Sequence, residues 1–327
     1  MIFEFTASLY FDFITGFSER IRVPIHDDLL LMPESMGDGY IRKVEFGNDF
    51  RLLIHRYKLK EDLTIKRHPA VEANDLISIF FYNNEQPIDL LYNEEQPVKF
   101  SQKNESAIQV TTNDLSSTIR FPANTETQYL VIGITSSKLA SLIGRKTTNH
   151  ILQTMTAGTS SFLYFESMNA ETLQVLKNIT SINMNDRLSN FFVQIKVQEL
   201  LYHLMSKLSG RENTFQKSIN NADAEKLLVI RDIILSDLSV PPLLHSLATS
   251  IGMSETKLKQ LFKQTFGSTI YDYYQKIRME EAAFLLKQAG YSVSEVGYQL
   301  GFSNLSHFSR LFQKHYGITP KKYSTAG

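Results

Sequence analysis

The sequence predicts a mixed α+β, multidomain chain: an antiparallel β barrel or jelly roll first, then a helical region, then an all-α carboxy-terminal domain built on two helix-turn-helix units. Three observations carry that expectation. Short β-branched and aromatic runs separated by turn residues fill the region before Ser137, the hydrophobic period becomes helical after it, and between Leu247 and Tyr323 one helix-turn-helix pattern is written twice. At 327 residues the chain is also long for one domain.

At the amino terminus Phe3, Phe5, Ala7, Leu9, Phe11 and Phe13 alternate with Glu4, Thr6, Ser8, Tyr10 and Asp12, which is strand periodicity. Further strands are expected at 50–59, 76–82, 107–112, 117–121 and 128–134, where β-branched or aromatic runs are bounded by Asn, Asp, Gly or Pro. Short strands at this spacing suggest a sandwich or barrel, and a cupin-like jelly roll is the first expectation. The segment Tyr82-Asn83-Asn84-Glu85-Gln86-Pro87-Ile88 is echoed by Tyr92-Asn93-Glu94-Glu95-Gln96-Pro97-Val98. Successive hairpin turns explain two such copies, with a ligand loop on Tyr82 and Tyr92 as the other reading. A cupin metal site needs closely spaced histidines with a nearby carboxylate, whereas His26, His55, His68 and His150 are dispersed. Metal catalysis is disfavoured, no cofactor is expected, and His55 and His68 read as surface or hydrogen-bonded strand residues. Arg51, Arg56 and Arg120 could pair an anionic effector, although strand arginines on an outer face are commoner.

From Ser137 a short helix is expected at 138–143, a strand at 162–166, and longer helices at 170–179 and 188–208. The last carries a broad apolar surface of Phe191, Phe192, Ile195, Val197, Leu200, Leu201, Leu204, Met205 and Leu208, too wide to stand in water. It either packs on the barrel or joins two copies of the chain, with Leu201, Leu204 and Leu208 as the candidate dimer residues. The segment 210–222, rich in Gly, Asn, Ser and Lys, is a natural linker. The expected domains are thus 1–165, β-rich; 166–209, helical packing or dimerisation; 210–222, linker; and 223–327, the double helix-turn-helix.

A helix-turn-helix needs a small residue where its helices cross and, four positions later, one that tolerates positive φ. Ala248 with Gly252, and Gly297 with Gly301, supply both. Ser254 and Ser303 follow the turns as expected caps. Around the first candidate recognition helix, the face opposite Leu258, Leu261 and Phe262 holds Thr256, Gln260 and Lys263, with Lys259 at its edge. The matching face of the second holds Ser306, Arg310 and Gln313, flanked by His307 and Lys314. Hydroxyl, amide and cationic groups suit phosphate oxygens and base edges, and arginine can grip guanine bidentately. Between the motifs, 270–288 contains neither Gly nor Pro and reads as one helix of about 28 Å, close to the roughly 34 Å between successive major-groove faces. Ser292 with Glu295 is a capping box for the following helix, and Arg278 reads as a structural ion-pair partner, for instance of Glu295.

These residues carry a resemblance. The linker Ile277-Arg278-Met279-Glu280-Glu281-Ala282-Ala283-Phe284-Leu285-Leu286, then Gly301-Phe302-Ser303, then Ser306-His307-Phe308-Ser309-Arg310-Leu311-Phe312, and Gly317-Ile318-Thr319-Pro320-Lys321-Lys322-Tyr323 resemble the DNA-binding domain of the AraC/XylS family of bacterial transcription regulators, over about 225–323. The resemblance implies a seven-helix domain whose Thr256, Lys259, Gln260, Ser306, His307 and Arg310 face double-stranded DNA. It further implies that 1–165 is a sensory or ligand-binding domain for a small-molecule effector, and it implies a homodimer, RNA polymerase as a partner in activation, and a bacterial cytoplasmic setting. Two positions depart from the family pattern: His307 stands where an aromatic residue is usual, and Gly297 where alanine is. Two rival functions are a ligand-independent regulator whose barrel only dimerises, and a cupin-type enzyme tethered to DNA.

Charge agrees with that division. Lys and Arg total 34 against 34 Asp and Glu, yet from Asn221 onward twelve basic residues face nine acidic ones, +3 there and −3 before it. After Glu295 there is no acidic residue, while Arg310, Lys314, Lys321 and Lys322 all follow, so affinity for a polyanion would fall with salt. Cysteine is absent, which removes disulfides and thiol chemistry. Glu4 and Asp12 and the lack of a basic leader make the amino terminus a poor signal peptide, and no apolar stretch is long enough to span a membrane.

Overall fold

Side-chain alternation along three central strands organises the first of the chain's two units, Met1–Glu225; the second is Lys226–Gly327. The computed structural model describes residues 1–327 except 9–10, 71–74, 85–87, 92–96, 101–106, 145–146, 184–185, 213–215, 289 and 326–327. The first unit begins with β1 (Ile2–Thr6), α1 (Phe13–Ile21), β2 (Leu29–Leu31), β3 (Gly37–Glu45), β4 (Phe50–Leu59), β5 (Leu63–His68) and β6 (Leu76–Tyr82). It continues with β7 (Ile88–Leu91), β8 (Pro97–Phe100), β9 (Ile108–Thr112), β10 (Ser117–Phe121) and β11 (Glu126–Thr135). Then come α2 (Ser136–Ile143), α3 (His150–Ala157), β12 (Leu163–Glu166), α4 (Ala170–Thr180) and α5 (Ser189–Ser209).

One sheet orders its strands β1-β5-β10-β7-β8, the other β12-β9-β6-β11-β4-β3-β2. An all-antiparallel arrangement was expected, but β1 runs parallel to β5, with Ile2 opposite Thr64 and Thr6 opposite His68. On β4, Phe50, Leu52 and Ile54 enter a hydrophobic core, as do Ile77, Ile79 and Phe81 on β6 and Leu130, Ile132 and Ile134 on β11. Leu139, Ile151, Met155, Leu176, Ile179, Val193 and Val197 of the helices complete that core. The alternate residues, such as Leu53, His55, Phe80 and Val131, face a cavity shared with Phe5, Ile65 and Ile119 of the other sheet. Burial on both faces is why these strands are apolar almost throughout.

Several expectations change. The alternation at the amino terminus does not continue as one strand: β1 stops at Thr6 and Phe13 opens α1. Phe13 and Phe17, four apart, share a helix face and stack at 5.8 Å, and Phe3 meets them edge-on at 5.4 and 5.1 Å. The echoed segment lies partly outside the described residues, Tyr92 included, and β7 pairs antiparallel with β8 across it. Tyr82 is fully buried and donates to Gln109 Oε1 at 2.8 Å, so it is no loop residue. His68 is exposed and bonds Glu4 at 3.1 Å, but His55 is neither at the surface nor hydrogen-bonded at Nδ1. Its ring stacks on Tyr129 at 4.1 Å.

The second unit takes up the chain within α6 (Asn221–Ser236) and continues with α7 (Leu244–Ser250), α8 (Glu255–Phe266), α9 (Ile270–Lys287), α10 (Val293–Gln299), α11 (Leu305–Tyr316) and α12 (Pro320–Thr325). Thr269 caps α9 by accepting from the Asp272 N–H at 3.1 Å, and α9 then runs unbroken for 18 residues. One side of it joins Phe262, Phe266 and Tyr273 in an aromatic cluster with ring separations of 4.5 to 5.5 Å. Its later residues, Met279, Ala282, Ala283, Leu285 and Leu286, pack with Val296, Leu300, Phe302, Phe308 and Phe312. Among the described residues no helix is long and apolar enough to cross a membrane.

Candidate nucleic-acid interface

Two helix pairs, α7–α8 and α10–α11, form from the doubled pattern. In the first, Ala248 is buried at the crossing and Gly252 turns the chain at φ +58°. Ser254 then caps α8, accepting from the Lys257 N–H at 3.3 Å, and Gly267 at φ +76° closes it. In the second, Ser292 and Glu295 exchange hydrogen bonds of 2.8 and 3.2 Å at the start of α10. Those bonds hold the Glu295 carboxyl below the usual carboxylate range. Gly301 turns at φ +75°, and a Cβ there would lie 1.9 Å from the Ser239 carbonyl oxygen. No other residue fits this turn.

Three details differ from expectation. The cap of α11 is Asn304, not Ser303: Asn304 Oδ1 accepts from the N–H groups of Ser306 and His307 at 2.9 and 3.1 Å. Gly297 has a local reason, since a methyl there would come within 2.6 Å of Leu305 Cδ2 and 3.2 Å of Phe308 Cδ1. Arg278 does not pair with Glu295. It is buried, its guanidinium sits 3.6 Å from the Phe302 ring centre, and both Nε, at 2.8 Å, and Nη2 donate to the Leu300 carbonyl. Burial pushes its pKa down, and the carbonyl and ring faces replace the water it has lost.

With the apolar faces committed inward, Thr256, Lys259 and Gln260 of α8 stand exposed and Lys263 half-buried. On α11, Ser306, His307, Arg310, Gln313 and Lys314 are all exposed. The side chains of Thr256, Lys259, Gln260, Arg310 and Lys314 make no hydrogen bond or ion pair with another described residue. These outward groups are donors or cations, matched to phosphate oxygens and to base-edge acceptors. Lys257, exposed beside them on α8, escaped the sequence reading because it lies off the face opposite the core.

The three residues assigned to dimerisation are placed elsewhere. Leu201, Leu204 and Leu208 are 4, 1 and 0 % exposed and belong to the core beneath the larger sheet. The open side of α5 carries Phe191, Ile195 and Tyr202, at 62, 48 and 68 %, with Leu188 just before the helix at 65 %.

Comparison with known proteins places the doubled motif in context. The helix-turn-helix domain family matches residues 247–326. The chain is 27% identical over 168 residues to the transcriptional activator CfaD of Escherichia coli, covering 51% of this chain and 59% of that one. It is 33% identical over 84 residues to the probable transcription factor PqrA of Proteus vulgaris, covering 26% of this chain and 69% of the other. A solved AraC-type transcriptional regulator from Chromobacterium violaceum is 30% identical and matches 32% of this chain and 95% of its own, with a TM-score of 0.30. The chain spans a little over half the length of the first curated relatives it matches.

Proposed function

The chain belongs to the AraC/XylS family of bacterial transcription regulators, and from that premise we propose that it is a sequence-specific, effector-responsive activator whose carboxy-terminal unit reads two adjacent major-groove segments. The observation that carries the reading is α9: an unbroken helix of about 27 Å with a donor-bearing recognition helix on either side of it in sequence. Successive major-groove faces on one side of B-DNA lie roughly 34 Å apart, within reach of a helix of that length plus its flanking turns. Arg310 is the strongest base reader, bidentate on a guanine, and Lys314 and Lys259 are phosphate contacts. RNA polymerase is the partner through which activation acts.

DNA selected from a random pool by the full chain, followed by hydroxyl-radical footprinting, tests this. Two protected patches about one helical turn apart are expected, and Arg310→Ala should cost about 1–3 kcal/mol on the selected site while relaxing one base position. Equal loss on selected and random DNA would remove Arg310 from base readout.

A homodimer completes the proposal, with the contact on the exposed stripe Leu188, Phe191, Ile195 and Tyr202 rather than on Leu201, Leu204 and Leu208. The spacing of three, four and seven residues aligns these four on one side of a helix, as in a coiled-coil seam. Pairing two readers raises affinity through effective concentration. Phe191→Asp should halve the mass seen by light scattering without unfolding the chain; an unchanged mass would move the contact elsewhere.

A further inference from the structure

The cavity between the two sheets, of about 90 Å³, has a lining that is chemically divided. Phe5, Phe11, Phe13 and Phe80 give it apolar walls, while Arg51 and Arg67 bring two guanidiniums to the inner face of a sandwich. Inner sheet faces are ordinarily apolar, because a buried cation forfeits its hydration. Register explains how Arg51 is accommodated. It lies directly opposite Gly133, and a Cβ on that glycine would stand 3.3 Å from both Cγ and Nε of Arg51. The arginine therefore lies across the strand in the space a side chain would have filled.

Arg51 makes no hydrogen bond or ion pair with another described residue, although Asp12 and Glu45 attract it from farther away. Arg67 is fixed in place: Nη2 donates to the Leu115 carbonyl at 2.9 Å and the guanidinium lies 5.8 Å from the Phe80 ring centre. Asp12 also lines the cavity, but its carboxylate is engaged by Lys43 Nζ at 2.9 Å and Thr15 Oγ1 at 3.0 Å. His55 adds a ring nitrogen, Nδ1, buried without a hydrogen-bond partner. Burial takes that imidazole down to about 3, so at neutral pH it offers a hydrogen bond and no charge. An unpaired buried polar atom costs free energy that a ligand atom can return.

Size limits the ligand. A water needs roughly 10–15 Å³ and an engineered cavity of roughly 150 Å³ takes benzene, so this one suits a body no larger than benzene and neither an aromatic acid nor a long acyl chain. We infer that the cavity binds a short-chain organic monocarboxylate of about three or four carbons, with its carboxylate toward Arg51 and Arg67 and its apolar body against the phenylalanines. Guanidinium pairs with carboxylate through parallel N–H···O bonds, which a neutral amide cannot replace. The inference names the effector class for the regulator proposed above and rests on that reading only for its consequence at DNA.

Calorimetry on the full chain tests it with propanoate and 2-methylpropanoate against propanamide and 2-methylpropanamide. At least one acid should bind about tenfold or more tighter than its amide. Arg51→Gln should bring the two within about twofold, with an unliganded melting midpoint like that of the wild type. Binding of neither acid, equal binding of acid and amide, or an acid preference surviving Arg51→Gln would overturn the assignment. Affinity for the selected DNA, measured with and without the acid, separates the two claims. An acid that binds without changing DNA affinity upholds the cavity and sinks the effector reading, whereas DNA binding by a chain that ignores both acids sinks the cavity assignment and leaves the DNA-reading function standing.

Discussion

In the first helix-turn-helix, α8 buries Leu258, Leu261, Phe262, Gln264, Thr265 and Phe266, whereas among its described residues α11 in the second fully buries Phe308 and Phe312. The turns differ in the opposite sense. A Cβ on Gly252 would meet nothing within 4 Å, while one on Gly301 would collide with the Ser239 backbone, and the second turn is also gripped by Arg278 through the Leu300 carbonyl and the Phe302 ring. A recognition helix that gives up less of its own surface to the core is held instead from the turn that precedes it. That leaves more of α11 than of α8 free to face a partner.

The two glycines give the largest test of that difference. Both have positive φ, so alanine at either incurs the left-handed penalty of about 1–2 kcal/mol. At Gly301 the methyl must also displace backbone, and the loss should exceed about 3 kcal/mol, whereas Gly252→Ala should stay near the penalty alone. Urea unfolding of the full chain, read from the transition of the carboxy-terminal unit, measures both. Comparable losses would mean that the second turn is no more tightly held than the first.

Arg278→Met removes the grip without touching the turn. It deletes the bonds to the Leu300 carbonyl and the stacking on Phe302 but keeps an apolar stem, so the cost should be about 1–3 kcal/mol. On selected DNA the footprint patch belonging to α11 should weaken more than that of α8. Uniform weakening would show that Arg278 stabilises the whole unit rather than the second reader.

The same contrast explains what the sequence disclosed. The carboxy-terminal unit is specified by signals a few residues apart: Ser254 and its helix, Ser292 with Glu295, glycines at the turns, and the uninterrupted apolar period of α9. Where a signal was ambiguous between neighbours, as between Ser303 and Asn304, the side chain that reached two N–H groups prevailed. In the amino-terminal unit β4, β6 and β10 were legible as runs, but β3 and β5 were not, because Asp38, Arg42, Lys43, Lys66 and Arg67 interrupt their apolar pattern. The inward side of α5 was hard to read for a related reason. Large apolar residues lie on more than one side of α5, and only the sheet against which it packs decides that Leu201 and Leu204 turn inward while Phe191 and Ile195 turn out. Nor could periodicity have announced the buried His55 and the half-buried Arg51, since strand alternation gives two faces without saying that both are interior.

The smallest effect decides whether both readers touch DNA. Lys259 on α8 and Lys314 on α11 are exposed cations that form no ion pair with another described residue, so replacing either by alanine should leave stability within about 0.5 kcal/mol. Each phosphate neutralised contributes about −0.9 to the slope of log affinity against log salt, through the counterion it releases. Lys259→Ala and Lys314→Ala should therefore each flatten that slope by about 0.9, and the double variant by about 1.8, with equal effect on selected and random DNA. If only Lys314→Ala changes the slope, α8 does not lie on the duplex at that contact, and the structural difference between the two units becomes a division of labour in which the deeply packed helix supports and the lightly packed one reads.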